Sequence, residues 1–100
     1  MSVTFNKTTQ DQVYHFSIGA AGAATAVFQS GGGSGSPTFA TEIIITNYGS
    51  GLVNFRMDGA TATSIDRVVM PGERLQLVRS ADHVTLFSTA GSSVEVCFSV

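Results

Sequence analysis

Tryptophan is absent from this chain, and cysteine occurs once, proline twice and lysine once in 100 residues. Each shortage excludes something. A single cysteine, Cys97, leaves no intramolecular disulfide. One cysteine and two histidines are too few for a tetrahedral structural zinc site, which takes four Cys or His ligands at close spacing. Asp58, Asp66 and Asp82 are scattered and lack the alternating spacing of a calcium loop. No metal and no cofactor are therefore expected. The longest apolar runs fall well short of the roughly 18 residues that span a membrane as a helix, so no membrane association is expected. Met1 to Lys7 carries neither a basic head nor an apolar core, so no signal peptide is expected and synthesis in the cytoplasm is the default.

Charge is also scarce. Charged residues make up 12% of the chain, where soluble domains average about 25%. None occurs between Asp11 and Glu42. Two readings follow: much of the surface is covered by other protein, or the coat is rich in Ser, Thr and Gly. Arg56, Arg67, Arg74 and Arg79 fall close together but are accompanied by Asp58, Asp66, Glu73 and Asp82. Mixed charge of this kind forms a solvated face with weak ion pairs. It is not the basic stripe that phosphate neutralisation requires, so no nucleic-acid partner is expected. A single domain of this length buries roughly 60–65% of its unfolded surface, which leaves a thin stability margin. With disulfide and metal excluded, a homo-oligomer or docking on a larger assembly is the remaining support.

What the chain does have is a repeated alternation of short apolar segments and turn residues. Val3 and Phe5 suit a first strand, and Val13 to Ile18 a second with Tyr14, Phe16 and Ile18 on one face. Gly19 to Ala26 has no clear period; an extended segment leading to a strand at Thr25 to Gln29 is preferred over a helix, because two interior glycines cost a helix about 1 kcal/mol each. Residues 31–37, Gly/Ser-rich and ending in Pro37, read as a flexible loop. Phe39 to Thr46 reads as the best single strand. In Leu52 to Met57, Val53 and Phe55 alternate with Asn54 and Arg56, and Asp58-Gly59 suits a tight turn. Met70-Pro71-Gly72-Glu73 has the signature of a type II turn, with glycine supplying positive φ. Leu75 and Leu77, Val84 and Leu86, and then Val94, Val96, Phe98 and Val100 form successive inward sets. The expectation is one all-β domain over residues 1–100: an antiparallel two-sheet β-sandwich, jelly-roll-like, of about eight short strands.

No reaction is legible. Only His15 and His83 offer an imidazole base, and neither sits in a motif; the first reads as a sheet residue and the second as an exposed strand start. Cys97, between Val96 and Phe98, reads as a small residue facing a second layer or a partner, since no adjacent cation lowers its pKa. The glycines at 31–35 lead into Ser-Pro rather than the Gly-Lys-Ser/Thr of a phosphate-binding loop. A carbohydrate-binding sandwich is the alternative binding module, but such sites present aromatic platforms and only Tyr14 and Tyr48 are available besides phenylalanine.

The run Ile43-Ile44-Ile45-Thr46-Asn47-Tyr48-Gly49-Ser50-Gly51, the segment Val53 to Gly59, and Met70-Pro71-Gly72-Glu73 before Leu75-Gln76-Leu77 resemble small all-β virion accessory proteins of tailed bacteriophages, of the capsid decoration or cement type. The resemblance covers roughly residues 42–100. It implies a non-enzymatic protein that stabilises the head by bridging capsid subunits, with the major capsid protein or other virion proteins as partners and the virion as its location. A head–tail or tail-fibre accessory role is the neighbouring possibility. Phe28, Ile44, Tyr48 and Arg56 are the expected interface residues, and a trimer is the expected oligomer.

Overall fold

The computed structural model describes residues 2–6, 11–29 and 39–100. Among them are nine strands: β1 (Ser2–Asn6), β2 (Asp11–Ile18), β3 (Gly22–Val27), β4 (Glu42–Asn47), β5 (Val53–Arg56), β6 (Arg67–Val69), β7 (Arg74–Leu77), β8 (His83–Ser88) and β9 (Ser92–Ser99). That is one more than the eight the turn signals lead one to expect. The Gly/Ser-rich loop expected at 31–37 lies outside the described residues.

Strand pairing follows a mirror pattern. β2 pairs with β9, β3 with β8, β4 with β7 and β5 with β6, all antiparallel. A chain folded back on itself as one long hairpin, and then wrapped, gives these pairs and two sheets. Sheet A has the order β1-β2-β9-β4-β7 and sheet B the order β3-β8-β5-β6. The wrapping adds the ladders β4–β9 and β8–β5, and β1 extends sheet A beyond β2. This is the two-sheet jelly roll.

The inward sets meet between the sheets. Tyr14, Phe16, Ile18, Ile43, Ile45, Val94, Val96 and Phe98 come from sheet A, and Ala26, Val53, Phe55, Val69, Val84 and Leu86 from sheet B. Phe98 is fully buried and takes edge-to-face contacts from Tyr14 and Phe28, with ring centroids 6.2 and 6.0 Å away. Polar atoms close the seam beside this cluster. The Tyr14 hydroxyl donates to the Val27 carbonyl at 2.5 Å. The Gln12 side-chain amide donates to the Gln29 carbonyl and accepts from the Gln29 N–H, at 2.5 and 2.6 Å. A side chain of sheet A thereby imitates a strand partner for the chain leaving sheet B.

Four local expectations need correction. Val100, expected inward, is exposed, because β9 ends at Ser99. The third strand starts at Gly22, not Thr25. Ala20 and Ala21 make a turn closed by Gly22 N–H to Gly19 C=O at 2.9 Å, and pairing with β8 overrides the helical preference of alanine. The strand expected from Phe39 joins its ladder only at Glu42; Ala40 makes an isolated bridge to Ala81, and Phe39 is exposed. Asp58-Gly59 does not close a tight hairpin. Gly59 has the expected positive φ of 95°, but the chain runs on from Met57 to Asp66 before β6 begins. The Pro71-Gly72 turn is as expected, with Gly72 at φ 79° and Glu73 N–H donating to the Met70 carbonyl at 2.9 Å.

Candidate docking surface

The 57–66 segment lies over the outside of sheet B. The Thr85 hydroxyl donates to the Ala60 carbonyl at 2.7 Å, and the Asn54 amide donates to the Asp66 carbonyl at 3.0 Å. Thr85 and Asn54 point outward from their strands, yet both are buried, and Ala62 of the segment is buried with them. Gly59 packs against His83, where a Cβ would stand 3.3 Å from Nε2. Two carboxylates hold the segment's ends. Asp58 Oδ1 accepts from Ala60 N–H at 3.0 Å, and Asp66 Oδ2 accepts from Thr63 N–H at 2.7 Å. Arg56 pairs with both carboxylates. Its hydrogen bond, followed by that of the Ala60 N–H, lowers the Asp58 carboxyl from an ordinary 3.8 to about 2.

This cover stops half-way. The register sets Ala23 beside Phe87, Phe87 beside Asn54 and Asn54 beside Val68. Extending the β5–β6 register by one residue brings Leu52 opposite Met70, on the same outward side. Leu52, Val68 and Met70 are exposed and Phe87 is half-buried. They make an apolar face on the outer side of sheet B next to the covered half. Ile65, on the covering segment, is 91% exposed.

The outside of sheet A is different. His15 Nδ1 is 3.6 Å from Glu95 Oε2, and Gln76 Nε2 donates to Glu42 Oε2 at 2.6 Å. Ile44 sits between Cys97 and Gln76, with Val13 beyond Cys97. Cys97 is half-buried, its Sγ 3.9 Å from Ser99 Oγ.

Between the two sheets, at the β4–β5 connection, Asn47 is fully buried and uses its whole side chain. Its Nδ2 donates to the carbonyls of Gly51 and Val69 at 2.8 and 3.0 Å, and its Oδ1 accepts from Gly49 N–H and Ser92 Oγ at 3.1 and 2.5 Å. A Cβ on Gly49 would overlap Ser92, and one on Gly51 would overlap the Gly91 carbonyl. This close packing presents Tyr48 to solvent at 65% exposure.

The four expected interface residues do not converge. Phe28 is a correction: it is 6% exposed and packs edge-to-face on Phe98, because the chain leaving β3 turns it into the core. Ile44 is half-buried on the outside of sheet A, Arg56 is tied to its two carboxylates outside sheet B, and Tyr48 stands on the connecting turn. The residues missed are Leu52, Val68, Met70 and Phe87. Their signal was adjacency: Leu52-Val53 and Val68-Val69-Met70 are consecutive apolar residues, so both faces of those strands must be apolar.

The titratable groups are divided in the same way. His15 belongs to the outside of sheet A and His83, whose Nδ1 lies 2.5 Å from Asp82 Oδ1, to the outside of sheet B. No three His, Cys, Asp or Glu side chains gather at metal-binding distance among the described residues. No helix among them is long and apolar enough to cross a membrane. No protein-family model matches the chain, and no curated protein matches it.

Proposed function

We propose that the protein is a non-enzymatic virion structural protein of the capsid decoration type, which works by covering joints between capsid subunits. The observation that carries the proposal is the bare apolar half of the outer face of sheet B. Jelly rolls serve capsid proteins, lectins and cupins alike, so the fold does not choose among them. The side chains favour the first. A cupin-type centre needs clustered histidines, and the two here stand on opposite sheets. A lectin needs an exposed aromatic platform; Tyr48 and Phe39 are exposed, but Tyr14 and Phe16 are in the core. A decoration protein needs a rigid body with apolar surface to bury, and Leu52, Val68, Met70 and Phe87 supply that surface on and beside three paired strands, β6, β5 and β8. Interfaces of this kind bury about 800 Å² per partner, a sizeable share of the 5376 Å² exposed here. The reading takes the major capsid protein or another virion protein as partner, a trimer as the oligomer and the virion as the place of action, and it needs no cofactor.

The test is co-sedimentation of the purified chain with isolated heads of tailed phage produced alongside it, together with its solution mass. Binding and self-association are expected for the unaltered chain. A variant carrying Val68→Asp and Met70→Asp should stay folded, since exposed substitutions change stability by only about 0.5 kcal/mol each, and should remain in the supernatant. An unaltered chain that is monomeric and ignores the heads overturns the proposal.

A further inference from the structure

The arginines are not equivalent. Arg56 is neutralised by Asp58 and Asp66, whereas Arg67 and Arg79 have no carboxylate partner among the described residues. Both line one open cleft of about 240 Å³, together with Phe55, Arg56, Met57, Asp58 and Asp66. Arg67 comes from β6 and lies over the Phe55 ring, its guanidinium carbon 5.7 Å from the centroid. Arg79 comes from the connection between β7 and β8. The cleft thus has a half-buried apolar side chain in Met57 at its base, a wall of paired charge around Arg56, and two guanidiniums that make no hydrogen bond among the described residues.

We propose that this cleft receives a single carboxylate side chain of a partner protein, flanked in that partner by an apolar residue. Three observations select this occupant. The space is smaller than the roughly 300 Å³ at which sites for whole small molecules begin, and it is open, so it suits a side chain projecting from another surface. A guanidinium offers paired N–H donors that match a carboxylate, and the one on Arg67 is already held in place over an aromatic ring. The third is the Asp58–Arg56–Asp66 wall, which has net negative charge and stands beside the two open arginines. It tolerates one carboxylate directed at Arg67 and Arg79 but repels a polyanion that would run the length of the cleft. The inference holds whether or not the partner belongs to a virion.

The experiment is a titration of the isotope-labelled full chain, followed by amide chemical shifts, with a blocked peptide carrying one glutamate between two leucines. Weak, saturable shifts are expected at Phe55, Met57, Arg67 and Arg79, fading as salt is raised. The same peptide with glutamine in place of glutamate should shift these amides hardly at all. Arg79→Gln, on an exposed connection, should weaken binding about threefold, Arg67→Gln by a similar factor, and the double variant about tenfold. Equal binding of the glutamine peptide, shifts confined to other regions, or unaltered binding by the double variant would each overturn the proposal. So would an oligothymidylate that perturbs the same amides at lower concentration, because the cleft would then be a phosphate site.

Discussion

The two outer faces of this sandwich are finished in different ways. On sheet A polar side chains face one another across neighbouring strands: His15 Nδ1 lies 3.6 Å from Glu95 Oε2, and Gln76 donates to Glu42. The apolar residues between them, Val13, Cys97 and Ile44, are half-buried. On sheet B the chain covers half of the face with its own 57–66 segment and leaves Leu52, Val68 and Met70 exposed and Phe87 half-exposed. Antiparallel sheets commonly keep one face for the core and one for water. Sheet A obeys that division. Sheet B departs from it, and the departure is graded along the sheet: outward polar groups lie under the segment, and apolar groups lie beyond it. The proposed function rests on this uncovered half and not on sheet A.

The strongest way to break the contrast is to loosen the point where the sheets are tied. Asn47 belongs to β4 of sheet A and donates to Val69 of β6 in sheet B, while also serving Gly51, Gly49 and Ser92. Asn47→Ala strands several buried groups at once. A loss of about 3 kcal/mol is expected, read from chemical denaturation, with a chain that no longer distinguishes its two faces in hydrogen exchange. A loss below about 1 kcal/mol would mean that the network contributes little beyond local turn structure.

A smaller effect sharpens the comparison. Thr85→Val removes the hydroxyl that holds Ala60, while keeping the β-branched shape. About 1 kcal/mol should be lost, and the amides of 57–66 should lose protection from exchange. Thr46→Val is the matching change on sheet A. Thr46 is half-buried and its hydroxyl makes no hydrogen bond among the described residues, so stability should stay within about 0.5 kcal/mol. Equal losses at both positions would remove the claim that the covering segment is held by its bond to β8.

The sequence made the inner faces readable because their period is two. Tyr14-Phe16-Ile18 and Val94-Val96-Phe98 alternate strictly, and these residues are the core. The turn at Pro71-Gly72 was equally readable, since a positive φ there demands glycine. What was hidden depended on contacts far away in the chain. Gly22 to Val27 has no apolar period to read, and β8 makes it a strand. Phe28 follows the apolar pair Ala26-Val27 and precedes a Gly/Ser run, so the sequence does not show which of these residues share its face. Asp58-Gly59 carries a true local turn signal, but whether the chain then closes a hairpin or travels across the sheet is decided by Thr85 and Asn54. The candidate surface was half legible. Ile44 is an apolar residue on the face opposite Ile43 and Ile45, and the same pattern sets Leu52 opposite Val53, and Val68 and Met70 opposite Val69.

The gentlest probe is acid. Asp58 anchors the start of the covering segment, and the Arg56 hydrogen bond lowers its carboxyl from 3.8 to about 2, with help from the Ala60 N–H. A carboxyl depressed in the folded state stabilises fully above its unfolded value. That contribution fades as pH falls from about 3.8 and is gone below about 2. Both side chains are at the surface, so the effect on global stability is small and is best read locally. The Gly59 and Ala60 amide shifts should titrate with a midpoint near 2, and in Asp58→Asn that step should vanish while the rest of the spectrum stays in place. A midpoint at the ordinary 3.8 would mean that the Arg56–Asp58 pair does not persist in solution. The covering segment would then be held by Thr85, Asn54 and Asp66 without its Asp58 anchor, and the start of that segment would be mobile rather than fixed.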